Sequence, residues 1–264
     1  MSKTHSIWET HADNHILELE STLNGYHNKN GKHSKKEKET ITKLGLTNLK
    51  EIVPLTENQT KTFEAFQQRG KNLLLHGSAG TGKTFLSLYL SLLEVVQKSS
   101  SKYKSIVIIR SVVPTRDIGF LPGTLQEKSK VYENPYEDIC CELFGRGDAY
   151  QILKKKELIE FTTTSFLRGL TLRNCIIIVD EVNNMTFHEL DSVISRVGTN
   201  AKIIFAGDYS QTDLTNWKDQ DGLLDFMDIL QEMNSFEFVE FGIEDIVRSG
   251  LVKEYLLAKH RLSK

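Results

Sequence analysis

Short apolar runs alternate with segments of helical periodicity from Thr56 onward. Several of the apolar runs contain no polar residue, as expected for strands that are covered on both faces of a sheet. This alternation of strands and helices predicts a three-layer α/β/α fold with a mostly parallel sheet. The predicted strands are residues 72–75, 105–110, 158–162, 175–179, 202–206 and 236–241. The predicted helices are residues 57–68, 83–97, 186–197, 222–233 and 244–258.

Residues 112–157 interrupt this alternation of strands and helices. Three prolines, Pro114, Pro122 and Pro135, fall in the segment together with Gly119 and Gly123. We therefore predict a long, irregular insertion, and insertions of this kind often carry function.

The N-terminal 50 residues differ from the rest of the chain. Apolar residues from Trp8 to Leu23 have a loosely helical spacing and predict a short amphipathic helix, and lysines crowd residues 29–43 and predict a linker. The helix either docks on another surface or belongs to a solvated tail that the chemistry does not need. Five of the eight histidines lie here without partners at ligand spacing, so we predict no metal site among them. We place the boundary of the main domain at residue 51, so that it spans residues 51–264.

Composition narrows the possible functions. With 264 residues and 39% hydrophobic content, the chain can bury one substantial core. Its net charge of -2 means that nucleic acid would have to bind at a local basic patch. The three cysteines, Cys140, Cys141 and Cys175, lack a C-x-x-C spacing and are expected to be reduced thiols. No apolar run is long enough to form a signal segment or to span a membrane, so we expect a cytoplasmic protein.

One glycine-rich segment carries the clearest chemistry. Between a predicted strand and a predicted helix, the chain matches the phosphate-binding pattern G-x-x-x-x-G-K-[ST], or P-loop. Small residues let backbone N–H groups close around phosphate oxygens, lysine supplies a cation, and the threonine hydroxyl is a ligand for Mg²⁺. We therefore predict a site for ATP and Mg²⁺ in a P-loop NTPase. Its residues are Gly77, Ser78, Ala79, Gly80, Thr81, Gly82, Lys83 and Thr84.

Two carboxylates follow the apolar run 175–179. In a parallel sheet, this strand end lies at the same edge as the phosphate loop. We expect Asp180 to hold Mg²⁺ through water and Glu181 to orient or deprotonate the attacking water. A surface acidic pair without function is the alternative interpretation.

Two glutamines extend the predicted site. Gly207-Asp-Tyr-Ser-Gln211 follows the next strand and resembles motif III of superfamily 1 helicases, in which the glutamine senses the γ-phosphate. Leu55-Thr-Glu-Asn-Gln59 precedes the loop and resembles the adenine-reading Q motif, which would make Gln59 the adenine contact.

Together these segments resemble the PhoH-like ATPases, related to the cores of superfamily 1 helicases, over residues 56–260. The resemblance implies a RecA-like sheet and ATP hydrolysis coupled to RNA or single-stranded nucleic acid, as in a helicase or translocase. It also implies no nuclease activity here, since residues 1–50 are too short for the ribonuclease domain of some members. The chain departs from the family pattern at Val182, Asn183 and Ser249. The segments that carry the resemblance are residues 77–84, 119–128, 166–172, 180–184, 207–213 and 245–248.

The helicase resemblance also bears on assembly. Helicases of this superfamily take an arginine from a second RecA-like domain, and this chain has room for one such domain. We therefore predict that Arg248, or alternatively Arg196, acts in the site of a neighbouring copy. Head-to-tail contacts of this kind close into rings, so we predict a homo-oligomer, with a hexamer favoured.

Basic and aromatic residues in or near the predicted insertion are candidates for contacting a nucleic-acid backbone and stacking on bases. The residues do not distinguish RNA from single-stranded DNA. The candidates are Arg110, Arg116, Lys128, Lys130, Arg168, Phe120, Tyr132 and Phe166.

Two rival functions share the phosphate loop. A slow ATPase that acts as a nucleotide-gated module for binding RNA or protein would show no stimulation of turnover by a polymer. A small-molecule kinase has no use for Asp180 and Glu181 combined with Gln211, and it would need an arginine-rich lid, which the sequence lacks.

Overall fold

The computed structural model describes residues 49–97, 101–111, 125–167, 169–208 and 217–262, with the side chains of 125–129 and 217–221 left out. The chain divides into two units, and of the described residues those from 49 to 246 belong to the first and 247–262 to the second. The predicted N-terminal helix and lysine-rich linker lie outside the described residues, and the boundary at residue 51 stays a prediction. No helix in the described ranges combines the length and hydrophobicity that a membrane crossing requires.

Six parallel strands form one sheet in the first unit, in the order β3-β2-β4-β5-β1-β6. All six predicted strands are confirmed, and their observed ends differ from the predicted ones by at most two residues. The strands are β1 (Asn72–Gly77), β2 (Ser105–Arg110), β3 (Ile159–Thr163), β4 (Cys175–Asp180), β5 (Lys202–Gly207) and β6 (Phe236–Phe241).

Helices cover both faces of the sheet, which confirms the predicted three-layer fold. Alternate residues of one strand enter different cores, for example Ile176 and Ile178 on one face and Ile177 and Val179 on the other. The first core contains α1 (Glu57–Gln67), α2 (Lys83–Leu92, continued by a π-helical turn, Leu93–Gln97), α3 (Leu125–Phe144) and α4 (Ala149–Lys155). The second core contains α5 (Phe187–Ile194) and α6 (Trp217–Gln231).

The prediction that residues 112–157 are irregular is wrong for their second part, because α3 and α4 occupy most of residues 125–155. Buried Tyr136, Cys140, Leu143 and Phe144 have the i, i+4, i+7, i+8 spacing of one helix face. Pro135 lies inside α3. This proline therefore does not end the helix.

The predicted helix 244–258 is also corrected. Residues 243–245 form a 3₁₀ turn, in which the buried Asp245 carboxylate accepts hydrogen bonds from Gly242 N at 2.9 Å and Asn58 Nδ2 at 2.8 Å. An aspartate that bonds its own turn competes with a continuous helix. In the second unit, α7 (Gly250–Leu262) begins only after this turn.

Lys202, at the start of β5, buries its ammonium group. Its Nζ donates to the backbone oxygens of Phe66 at 2.9 Å and Lys71 at 2.7 Å. Burial lowers the pKa of Lys202 from 10.5 to about 8. Between about pH 8 and pH 10.5, the folded chain has lost the Lys202 proton and the unfolded chain still holds it. The contribution of Lys202 to the free energy of unfolding therefore rises with pH across this range.

Candidate nucleotide-binding site

The phosphate loop connects β1 to α2 at the carboxyl edge of the sheet, as predicted. Gly77 has φ 110°, and a Cβ at this position would lie 2.1 Å from the backbone oxygen of Phe241. Ser78 N donates to the same oxygen at 2.9 Å. The loop therefore starts directly against β6, and only glycine fits at its first position.

Lys83 lies inside the loop with 8% of its surface exposed. Its Nζ donates to the backbone oxygens of Gly77 at 2.8 Å and Ser78 at 2.7 Å. Burial lowers the pKa of Lys83, while Asp208, Glu181 and Asp180 act in the opposite direction. The one lysine of the loop thus interacts with carboxylates at the carboxyl ends of β4 and β5.

Thr84 and Asp180 meet as the sequence predicted. Thr84 Oγ1 donates to Asp180 Oδ1 at 2.8 Å, which joins the first turn of α2 to the end of β4. A hydroxyl and a carboxylate oxygen are ligands that Mg²⁺ prefers. These two side chains therefore fit a magnesium ion held beside the phosphates.

Tyr136, which the sequence analysis missed, completes the surroundings of Asp180. Its hydroxyl donates to Asp180 Oδ2 at 2.8 Å, and only 1% of the residue is exposed. Burial and the nearby Asp180 raise the pKa of Tyr136 well above its ordinary value, so the hydroxyl stays a donor. The two hydrogen bonds fix both oxygens of the Asp180 carboxylate.

Glu181 follows β4 in the left-handed conformation, with φ 54° and ψ 46°. A non-glycine residue held in this region costs on the order of 1 kcal/mol, and such residues cluster at functional sites. Burial and the adjacent Asp180 raise the pKa of Glu181. This placement next to Asp180 and Lys83 suits a group that takes a proton from water.

The two departures from the family pattern in this turn have structural roles. Val182 is buried, and Asn183 Oδ1 accepts a hydrogen bond from Asp208 N at 3.2 Å. This bond ties the turn after β4 to the residue after β5. Gln211, predicted to sense the γ-phosphate, lies outside the described residues.

Gln59 lies against the phosphate loop. Its Nε2 donates to Thr81 O at 3.1 Å, and its Oε1 accepts from Leu55 N at 2.8 Å. The side chain is 4% exposed. The structure thus connects the segment before α1 to the loop, while the role of Gln59 in adenine recognition stays a prediction.

Glu189 on α5 is a second residue that the sequence analysis missed. Its carboxylate accepts hydrogen bonds from Ser111 Oγ at 2.8 Å, Thr164 Oγ1 at 2.6 Å and Thr186 N at 3.0 Å. Burial would raise the pKa of Glu189, but the hydrogen bonds from Thr164, Thr186 and Ser111 outweigh it and lower the pKa. Glu189 therefore holds together the segments that follow β2, β3 and β4.

The residues predicted to contact nucleic acid differ in their surroundings. Arg110 ends β2 beside the acidic residues, and its guanidinium lies 5.6 Å from the centre of the Tyr132 ring. Lys130 is exposed, and Phe166 is 55% exposed. Arg116, Phe120 and Arg168 lie outside the described residues, as does the side chain of Lys128.

The two arginines predicted to act in a neighbouring copy occupy different parts of the chain. Arg248 belongs to the second unit and is exposed. Arg196 follows α5, and its backbone oxygen accepts from Leu172 N at 2.8 Å, before β4 begins. Arg196 is therefore at the amino edge of the sheet, away from the phosphate loop of its own copy.

The parallel sheet, the lysine inside a glycine loop and the Thr84–Asp180 contact are the features of a P-loop nucleotide-binding fold. The chain belongs to the PhoH-like protein family, whose model matches residues 51–259. A PhoH-like protein of Synechocystis is 33% identical over 222 residues, which are 83% of this chain and 66% of that protein. Protein PhoH of Escherichia coli is 30% identical over 209 residues, 78% of this chain and 58% of that protein.

The chain thus spans less than two thirds of the length of these relatives. Among solved structures, the large terminase of a thermophilic bacteriophage in complex with ADP gives a TM-score of 0.45 at 14% identity. That match covers 76% of this chain and 49% of the terminase. At this level of similarity we transfer neither activity nor partners from the terminase.

Proposed function

We propose that this chain hydrolyses ATP with Mg²⁺ and couples hydrolysis to RNA or single-stranded nucleic acid, as a helicase or translocase. The observation that carries the proposal is the 2.8 Å contact between Thr84 and Asp180, next to Lys83 within the loop. Family membership supports the same activity.

The chemistry assigns one role to each residue. Lys83 would bind the β- and γ-phosphates, and Thr84 and Asp180 would hold Mg²⁺, which would neutralise phosphate charge. Glu181 accepts a proton from the water that attacks the γ-phosphorus. The bond from that phosphorus to the bridging oxygen breaks, and ADP and phosphate leave.

For assembly, we propose a homo-oligomeric ring, most simply a hexamer, in which Arg248 of one copy completes the site of the next. The exposure of Arg248 supports this role. An arginine supplied in trans accelerates comparable enzymes by roughly 10³ to 10⁵. Full turnover of Arg248→Ala would contradict this part of the proposal, as would a protein that is only monomeric in sedimentation while it hydrolyses ATP.

Phosphate release with and without polymer tests the coupling. RNA and single-stranded DNA homopolymers are each added to the full chain with ATP and Mg²⁺. We expect at least one of them to raise turnover several-fold. Turnover that none of the polymers stimulates would contradict a motor and favour a nucleotide-gated binding module. Free phosphate that appears without any small-molecule acceptor would exclude a kinase, because a kinase leaves the phosphoryl group on its acceptor.

A further inference from the structure

Arg110 is a charged residue at the carboxyl end of β2. In the register of β2 and β4, Arg110 pairs with Asp180, so the cation lies one strand from the predicted magnesium ligand. Neighbouring strands are about 4.8 Å apart. The arginine and the acidic pair are therefore neighbours at the carboxyl edge of the sheet.

Two tyrosines of α3 hold the arginine there. The Arg110 guanidinium lies 5.6 Å from the centre of the Tyr132 ring, within the range of a cation–π contact. It also interacts with the side chain of Tyr136, whose hydroxyl donates to Asp180. Arg110 is half-buried, and its orientation is thus set by the protein rather than by solvent.

Asp180 does not need Arg110 as a hydrogen-bond donor. Asp180 already accepts hydrogen bonds from Thr84 and Tyr136, one on each oxygen. In the described ranges, the ion pairs at 4.0 Å or closer do not include Arg110. The guanidinium is attracted by Asp180 and Glu181 but is not locked to either of them, and its five N–H groups suit a phosphate.

We propose that Arg110 is a further binding residue of the hydrolysis site, a cation supplied within the same copy that contacts the γ-phosphate of bound ATP. Tyr132 and Tyr136 are positioning residues that hold it. The inference rests on the proposed ATPase function. It extends that function because recognition of the third phosphate then does not require a neighbouring copy.

The test is a comparison of affinities. The full chain and Arg110→Gln are titrated with ADP and with a non-hydrolysable ATP analogue in the presence of Mg²⁺, by calorimetry. Arg110→Gln should bind ADP within about 3-fold of wild type but lose roughly 10- to 100-fold of its affinity for the analogue, as expected for a charge-assisted contact with a phosphate. Turnover should fall with it.

A matched control makes the outcome specific. Arg69→Ala removes an exposed arginine after α1 and should change neither affinity. If Arg110→Gln proves unfolded by circular dichroism, Arg110→Lys serves instead, and it should also weaken the preference because lysine cannot form the bidentate contact.

The inference is overturned if a folded Arg110 variant keeps the wild-type preference for the triphosphate analogue. It is also overturned if the variant loses affinity equally for ADP and the analogue, since that indicates a structural role. Wild type that binds neither nucleotide would instead contradict the proposed function. The two failures are therefore distinguishable.

Discussion

Gly207→Ala tests how closely the turn after β4 is fitted to the end of β5. A Cβ at Gly207 would lie 2.6 Å from Val182 Cγ2 and 2.8 Å from Asn183 Oδ1. Unstrained carbon contacts are about 3.5–4.0 Å, so the turn would have to move by roughly 1 Å. Val182 and Asn183 are both buried and cannot turn into solvent. Overpacking of this kind costs about 1–3 kcal/mol of the free energy of unfolding.

The same shift should impair catalysis, because Glu181 begins this turn. A misplacement of about 1 Å can lower a rate by around 10². In urea unfolding, we expect Gly207→Ala to lose about 1–3 kcal/mol of the free energy of unfolding. Phosphate release should be at least about 10-fold slower, with ATP binding little changed. The double variant with Val182→Ala removes one clash, so a double-mutant cycle should give a favourable coupling of about 1 kcal/mol. Unchanged stability and turnover in Gly207→Ala would refute this account of the turn.

Two further predictions concern stability away from the loop. In urea unfolding between pH 8 and 10, Lys202→Met should lack the rise in stability that the lowered pKa of Lys202 gives wild type; parallel curves for both proteins would contradict this. Glu189→Ala should lose about 2 kcal/mol of the free energy of unfolding, because the donors around the carboxylate lose their acceptor. The control Glu160→Ala removes an exposed carboxylate of β3 and should stay within about 0.5 kcal/mol of wild type. Equal losses in the two variants would show that the Glu189 contacts add nothing.

The elements with a local pattern could be predicted from the sequence. The phosphate loop needs glycines, a lysine and a threonine at fixed spacing, and the acidic pair directly follows a buried strand. The parallel order of the sheet then brings Asp180 to Thr84, as the structure confirms. The places of these residues could therefore be predicted from the residues next to them along the chain.

The remaining contacts depend on topology. Tyr136 lies 44 residues before Asp180, in a segment whose prolines suggested irregular structure. Arg110 was identified as a cation, but its place beside Asp180 follows only from β2 pairing with β4. Glu189 contacts Ser111, 78 residues away. No spacing along the chain encodes such contacts, because they arise from the strand order.

The central claim is that the loop and the acidic pair hydrolyse ATP, and Glu181→Gln tests it most directly. Phosphate release with ATP and Mg²⁺ is measured for wild type and for the variant, together with the affinity for ATP. We expect wild type to release phosphate and the variant to be slower by about 10² or more, the contribution of a general base, with ATP affinity within about 3-fold. A variant that turns over at the wild-type rate, or a wild type that releases no phosphate, would contradict the claim.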